Sequence, residues 1–151
     1  MIEEKLKSLN ITLPSPPKPA GAYIPVVKSG NTAYVSGQIP IEDGKVTFKG
    51  KVPTVQSLEQ AKKAAKLCII NALSQLKSEL GSLDKISRIL RVSGFVNSES
   101  DFTDQPKVIN AASDLLFEIF GEKGRHSRIA VGVASLPLGA TVEIDMIVEI
   151  N

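Results

Sequence analysis

The sequence predicts an α+β domain: a single mixed β-sheet with two helices on one face. Stretches in which apolar and polar residues alternate occur before, between and after two long stretches with helical periodicity. The resulting element order is β-β-(β)-α-β-α-β-β. The length of 151 residues suits one domain with a core of its own. Contents of 42% hydrophobic and 23% charged residues are ordinary for a globular protein.

Residues 1–20 are expected to form an N-terminal arm, and the domain proper is expected to span residues 21–151. Ile2, Leu6 and Leu9 are spaced for one helical stripe, which predicts a short amphipathic helix within residues 1–10. The prolines between Leu13 and Pro19 then keep the chain extended, because each restricts its predecessor as well. We expect this arm to lie over its own domain, although Pro-rich stretches can also bind aromatic grooves of other proteins.

The first half of the domain predicts a hairpin followed by a long helix. Residues 23–28 and 32–38 favour strands joined at Ser29-Gly30-Asn31, and residues 46–49 favour a short edge strand. The segment Ser57-Leu-Glu-Gln60 matches a capping box, which predicts the start of a helix that ends at Gly81.

The second half predicts another strand and another helix. Residues 86–96 favour the strand. Pro106 is compatible with the first turn of the helix, whose apolar stripe runs to Phe120 and ends at Gly121.

The stretch from Arg128 to Ile150 predicts two strands joined by a tight turn at Leu136-Pro137-Leu138-Gly139. We expect these strands to pair directly, with Gly132 opposite Glu143 and Ala130 opposite Asp145. In this register the Arg, the small residues and the carboxylates share one face, and the bulky residues share the other. That face is either a binding surface with a floor of small residues or a solvated face with an incidental Arg–Glu pair.

With two helices on one side, the sheet face predicted to carry Arg128 and Glu143 is left uncovered. Association of several copies is the economical way to cover it, and a cleft between subunits would follow. We therefore expect an oligomer with its binding site at the subunit boundary.

Composition argues against several other classes of protein. The net charge is only +2, aromatic content is 5% and there is no Trp, which argues against nucleic acid as a partner. The sequence contains one cysteine, Cys68, which is an expected core residue, and one histidine, His126. It therefore predicts neither a disulfide framework nor a metal site. No apolar run reaches about 18 residues, and the N-terminus lacks the apolar centre of a signal peptide. No membrane association and a cytoplasmic location are expected.

The chain resembles the RidA/YjgF family, also known as endoribonuclease L-PSP, from residue 21 to residue 150. The matching stretches are GAYIPVVKSGNTAYVSGQIP, the helix start from Asp101-Phe102 to Asn110, and R-x-A-V-G-V-A-S-L-P-x-G-A-x-V-E-I-D. The resemblance implies a chorismate-mutase-like fold. It also implies a homotrimer in which the sheets form a central barrel, the helices lie outside and three clefts lie between subunits.

The activity implied by the resemblance is hydrolysis of reactive 2-imino and 2-enamino acids to 2-keto acids and ammonia. Arg128 would bind the substrate carboxylate, and Glu143 would hold or activate the attacking water. No cofactor is implied, because an imine carbon is already electrophilic. Further substrate-binding positions carried over from the family are Tyr23, Ser36, Gly37, Asn110 and Ala130, the last standing where well-known members have Cys.

Two other functions stay open at this point. A non-catalytic trimer that binds a small carboxylate metabolite would use the same Arg128 and leave Glu143 idle. An endoribonuclease is less favoured, because the sequence offers neither a pair of histidines nor a basic groove.

Overall fold

The computed structural model describes residues 1–151 and contains three α-helices and seven strands. The helices are α1 (Ile2–Ser8), α2 (Leu58–Leu80) and α3 (Gln105–Phe120). The strands are β1 (Val26–Ser29), β2 (Thr32–Gln38), β3 (Ile41–Glu42), β4 (Lys45–Val46), β5 (Ile86–Asn97), β6 (Ser127–Val133) and β7 (Val142–Ile150).

Five of the strands form one mixed sheet in the order β1-β2-β7-β5-β6, in which only the β5–β6 pair is parallel. The short strands β3 and β4 make a separate two-stranded ribbon. Helices α2 and α3 pack together on one face of the sheet and form the core with its apolar residues. The predicted α+β fold, with one mixed sheet and two helices on one face, is confirmed.

The two long helices begin and end where the sequence indicates. The Ser57 hydroxyl accepts a hydrogen bond from the backbone N–H of Gln60 at 3.1 Å, which satisfies one of the free donors in the first turn of α2. Gly81 ends α2 with a φ of +83°, a conformation that glycine adopts without strain. Pro106 lies in the first turn of α3, and Gly121 follows its last residue.

The N-terminal arm lies against its own domain. Leu6 of α1 is 2% exposed and belongs to the core, and Glu3 forms an ion pair of 3.1 Å with Lys77 of α2. Gln75, also on α2, donates from Nε2 to the carbonyl oxygen of Pro17 at 2.6 Å. The division at residues 20 and 21 stays a prediction.

The predicted hairpin between β6 and β7 is wrong, because β5 lies between them. Ala130 pairs with Gly94 and Gly132 with Val96, while Glu143 pairs with Phe95. The Pro137–Gly139 segment forms a 3₁₀ turn that carries the chain past the end of β5. Period-two alternation indicates which residues share a face of a strand, but it does not identify the neighbouring strand.

The predicted common face of Arg128 and Glu143 is wrong for the same reason. Arg128 pairs with Val92 of β5, and Glu143 pairs with Phe95 three residues further along that strand. Because side chains alternate along a strand, an odd separation puts the two on opposite faces. Arg128 points to the helices, and Glu143 lies on the face that the helices leave open.

The open face carries exposed apolar side chains as well as carboxylates. Val27, Tyr34 and Ile129 are each 40% or more exposed and lie on the same face as Glu143. No helix is long and apolar enough to cross a membrane. A cytoplasmic location stays a prediction.

Candidate functional site

The residues predicted to form the site fall into two groups within one protomer. Tyr23, Gly37 and Glu143 line one cavity of about 340 Å³, located where the end of β2 meets the start of β7. We call this the Glu143 cavity. Its other lining residues are Pro17, Lys18, Pro19, Ala20, Pro25, Gln38, Ile39, Ile41, Gln75, Pro137 and Leu138.

Glu143 is the half-buried carboxylate of this cavity. Burial raises the pKa of Glu143 above its ordinary value, and the negative charge of Asp145, two residues along β7, raises it further. A group in this state exchanges protons at a pH closer to neutral than an exposed carboxylate does. It is therefore suited to acid–base chemistry.

Gly37 gives the Glu143 side chain its space. A Cβ atom at position 37 would lie 3.0 Å from Cδ and 3.2 Å from Cγ of Glu143. Gly37 lies where the pairing of β2 with β7 changes register, between Val35 and Gln38. The irregularity and the missing side chain together allow the backbone of β2 to approach the carboxylate closely.

Ser36 precedes Gly37 but does not line the Glu143 cavity. Its hydroxyl donates to the carbonyl oxygen of Ile24 at 3.2 Å, and its backbone N–H donates to that of Pro25 at 2.8 Å. These bonds fix the segment that follows Tyr23, whose side chain is 51% exposed. Ser36 thus contributes to the site of one protomer indirectly, by fixing the backbone next to Tyr23.

Arg128 forms the second group together with residues of α3. Its guanidinium donates to the Ser113 hydroxyl at 3.1 Å and to the Pro106 carbonyl oxygen at 3.4 Å. Asn110 is exposed and lies on the same helical stripe, four residues after Pro106 and three before Ser113. Ala130 shares the face of β6 with Arg128 and packs against the core.

Ser113 and His126 are residues of this second group that the sequence analysis did not identify. His126 Nδ1 lies 2.7 Å from the carbonyl oxygen of Gly124, so it carries the proton and donates to that oxygen. His126 Nε2 then accepts from the Ser113 hydroxyl at 2.9 Å. Burial lowers the pKa of His126; the hydrogen bond to Gly124 raises it in part, and the charge of Arg128 adds to the lowering.

The sequence carried only a weak signal for this chain of bonds. Ser113 lies on the same stripe as Asn110, but its contacts with His126 and Arg128 depend on the position of β6 beside α3. That position follows from the strand order and not from local sequence. No group of three or more His, Cys, Asp or Glu side chains is arranged to hold a metal ion.

Comparison with known proteins decides the family. The family model described as "YjgF/chorismate_mutase-like, putative endoribonuclease" matches residues 3–150. This chain belongs to the RidA/YjgF family. The match includes the N-terminal arm as well as the strands that carry Gly37, Arg128 and Glu143.

Relatives of this RidA/YjgF protein cover nearly its whole length. Protein TCP17 of Trypanosoma cruzi is 42% identical over 151 residues, which are 99% of this chain and 94% of the relative. The 2-iminobutanoate/2-iminopropanoate deaminase of Dermatophagoides farinae is 32% identical over 142 residues, 93% and 95% of the two chains. A crystal structure of an Agrobacterium tumefaciens protein of unknown function is 48% identical, with a TM-score of 0.93 over 99% and 92% of the chains.

Proposed function

We propose that this RidA/YjgF protein hydrolyses reactive 2-imino and 2-enamino acids to 2-keto acids and ammonia in clefts between subunits. The observation that carries the proposal is the half-buried Glu143, with its raised pKa, in a small cavity beside Gly37 and Tyr23. A relative that is 32% identical bears the name of such a deaminase, which supports the same reaction class here.

In this proposal Glu143 handles the protons of the reaction. The imine nitrogen first takes up a proton from solvent. As a carboxylate, Glu143 then accepts a proton from water, whose oxygen adds to the imine carbon. The protonated carboxyl returns that proton to the amine nitrogen. The C–N bond breaks, the hydroxyl proton passes to the departing ammonia, and ammonium and the carbonyl of the 2-keto acid are formed. A raised pKa favours both steps, because Glu143 gains and loses a proton within one turnover.

Arg128 binds the substrate carboxylate. The planar guanidinium can donate two parallel hydrogen bonds to a carboxylate, and charge-assisted bonds of this kind contribute about 1.5–3 kcal/mol each. The contacts with the Ser113 hydroxyl and the Pro106 carbonyl oxygen use one N–H each of Nη1 and Nη2 and set the direction of the side chain. The remaining N–H groups can then face a ligand.

A second copy of the chain is needed to complete this site. Arg128 and Glu143 lie on opposite faces of one sheet, so a single protomer cannot present both to one small substrate. The exposed apolar side chains Val27, Tyr34 and Ile129 on the open face favour association of sheets. A homotrimer with the sheets inside and the helices outside would bring the Arg128 group of one subunit to the Glu143 cavity of the next.

Imine hydrolysis by the purified protein tests the proposal. Threonine dehydratase would generate 2-iminobutanoate, and semicarbazide would compete for it. We expect the wild-type protein to accelerate release of 2-oxobutanoate and to lower semicarbazone formation, and we expect Arg128→Ala to do neither. Arg125→Ala is the matched control, since Arg125 is a nearby exposed arginine paired with Glu122.

The outcomes separate the proposal from its alternatives. Wild-type protein without imine turnover that binds 2-oxobutanoate in calorimetry, with binding lost in Arg128→Ala, would replace the proposal with a carboxylate-binding trimer. RNA cleavage that persists in Arg128→Ala would indicate a contaminating nuclease. An Arg128→Ala protein with full imine turnover would contradict the assigned role of Arg128.

A further inference from the structure

The N-terminal arm forms one wall of the Glu143 cavity. The arm residues that line it are Pro17, Lys18, Pro19 and Ala20, and Tyr23 lines it shortly after the arm. The turn residues Pro137 and Leu138 line it as well. The cavity that contains the carboxylate is therefore bounded in part by residues outside the strands and long helices.

The arm is held in place at both ends, upstream mainly by the core and downstream by α2. Upstream, Leu6 is buried and Glu3 pairs with Lys77. Downstream, Gln75 is only 5% exposed, and its Nε2 donates to the Pro17 carbonyl oxygen at 2.6 Å. A buried amide that donates to a single backbone carbonyl fixes the position of that carbonyl relative to the helix.

The arm is also stiff between these anchors. Four of the six residues from Pro14 to Pro19 are proline, each with a fixed φ and without a backbone N–H. Such a segment keeps one shape and presents a mostly apolar surface with few hydrogen-bond donors. A volume of about 340 Å³ is near the lower limit for ligand sites, so small movements of one wall change what the cavity can hold.

We propose that the segment from Pro17 to Ala20 determines the size of the ligand side chain that the Glu143 cavity accepts. The inference rests on the proposed function for the chemical class of the ligand, a 2-imino or 2-keto acid. In this arrangement the ligand's carboxylate is held by Arg128 of another subunit, its reactive carbon faces Glu143 and its side chain points toward the arm. Ligands with short side chains fit between the arm and Leu138, and ligands with bulky ones do not.

Two substitutions with opposite effects test the inference. Gln75→Ala frees the Pro17 carbonyl and lets the arm move, so the cavity should admit larger side chains. Ala20→Phe adds a ring to the wall and should exclude side chains that the wild type accepts. Gln56→Ala is the matched control for the first variant, because Gln56 Nε2 also donates to one backbone carbonyl, that of Lys49 at 2.9 Å, and does not line the cavity.

Calorimetry with 2-keto acids of increasing size measures the effect without requiring turnover. The probes are pyruvate, 2-oxobutanoate and phenylpyruvate. For Gln75→Ala we expect the affinity for phenylpyruvate relative to pyruvate to rise about tenfold. For Ala20→Phe we expect the affinity for 2-oxobutanoate relative to pyruvate to fall about tenfold. Gln56→Ala should keep the wild-type ratios.

The results distinguish failure of this inference from failure of the proposed function. If both variants elute as wild type does in gel filtration and keep the wild-type ratios, the arm does not set ligand size and the inference is wrong. If the ratios change as expected while the wild type hydrolyses no imine, the inference stands and the deaminase reaction is wrong. If Gln75→Ala does not fold, Ala20→Phe alone still decides, because Ala20 is an exposed residue.

Discussion

Arg128 and Glu143 project from opposite faces of the same sheet, with β5 between their strands. Under the proposed function, each of the two residues would therefore belong to a half-site that is completed by another copy of the chain. Assembly and activity would then be coupled, because a separated protomer would keep the Glu143 cavity but would have no arginine positioned at it.

Mixing of two inactive variants should restore activity. Arg128→Ala and Glu143→Gln are each expected to be inactive. When the two are unfolded and refolded together in equal amounts, about a quarter of the wild-type turnover should return, since a given cleft receives an intact Arg128 half of the time and an intact Glu143 half of the time. Imine turnover of the mixture measures this. If the mixture stays as inactive as its components, the two residues do not act in one cleft between subunits.

Removal of the Asp145 charge should change the pH dependence of turnover. Asp145 contributes to the raised pKa of Glu143, so Asp145→Asn should lower that pKa. Because Glu143 must lose its proton before it can accept one from water, the acid limb of kcat/KM should move to lower pH. Asp101→Asn, at an exposed position, serves as the control. An acid limb that stays in place in Asp145→Asn would mean that another group controls it.

Glu143 should also make stability depend on pH. A carboxyl whose folded-state pKa is raised contributes stability below its unfolded-state pKa, and this contribution is lost as pH rises through the folded-state pKa. In an Arg128→Ala background, which removes the positive charge proposed to come from the neighbouring subunit, Glu143→Gln should match its parent at low pH and melt higher at neutral pH, by about 1–3 °C. Thermal unfolding at both pH values measures the difference. Glu118→Gln, on the exposed side of α3, is the control and should not show this pH-dependent difference in melting temperature.

Gly37→Ala should reduce activity much more than stability. The added Cβ would lie 3.0 Å from Cδ of Glu143, so the carboxyl must move to make room. A shift of a few tenths of an ångström relieves this contact, and a displacement of about 1 Å at a catalytic group can cost about 100-fold in rate, so we expect kcat/KM to fall about 3- to 10-fold. Gly21→Ala is the control, because its Cβ would lie at an ordinary 3.5 Å from the Tyr23 ring. Equal activity of the two variants would show that the approach of Gly37 to Glu143 is not critical.

Gly94→Ala should destabilise the fold through overpacking. Gly94 lies on β5 between Ala130 and Ile144, and a Cβ there would come within 2.6 Å of Cδ1 and Cγ1 of Ile109 on α3. We expect the free energy of unfolding to fall by about 1–3 kcal/mol. Urea denaturation of Gly94→Ala, Ile109→Val and the double variant measures the coupling. If the double variant recovers none of the loss, the two sites are independent and the contact is not the cause.

Local sequence was sufficient for most elements of this fold. Signals that influence only the few residues around them locate both long helices. Helix α2 begins at the Ser57–Gln60 cap and ends at Gly81, and α3 has Pro106 in its first turn and ends at Gly121. Which residues within one strand share a face was also predictable, since alternation depends only on neighbouring residues.

Strand order was not predictable in the same way, and the predicted geometry of the site was wrong as a result. The same alternating pattern is compatible with direct pairing of β6 and β7 and with β5 inserted between them. Only packing across the whole sheet determines which of the two strand orders forms. The error placed Arg128 on the face of Glu143 when it lies on the other. The family resemblance named the same two residues independently of the strand order, so the proposed roles of Arg128 and Glu143 are unaffected by this correction.

The position of β7 has a consequence for how the chain is made. The last strand of the sequence, Val142–Ile150, lies in the middle of the sheet and pairs with β2 on one side and β5 on the other. During synthesis β2 and β5 emerge before β7 and have no partner between them, so the sheet can close only after Val142–Ile150 has left the ribosome. Until then both strands expose an unpaired edge, and closing the sheet depends on contacts between segments far apart in sequence, which makes this step slow compared with formation of the helices.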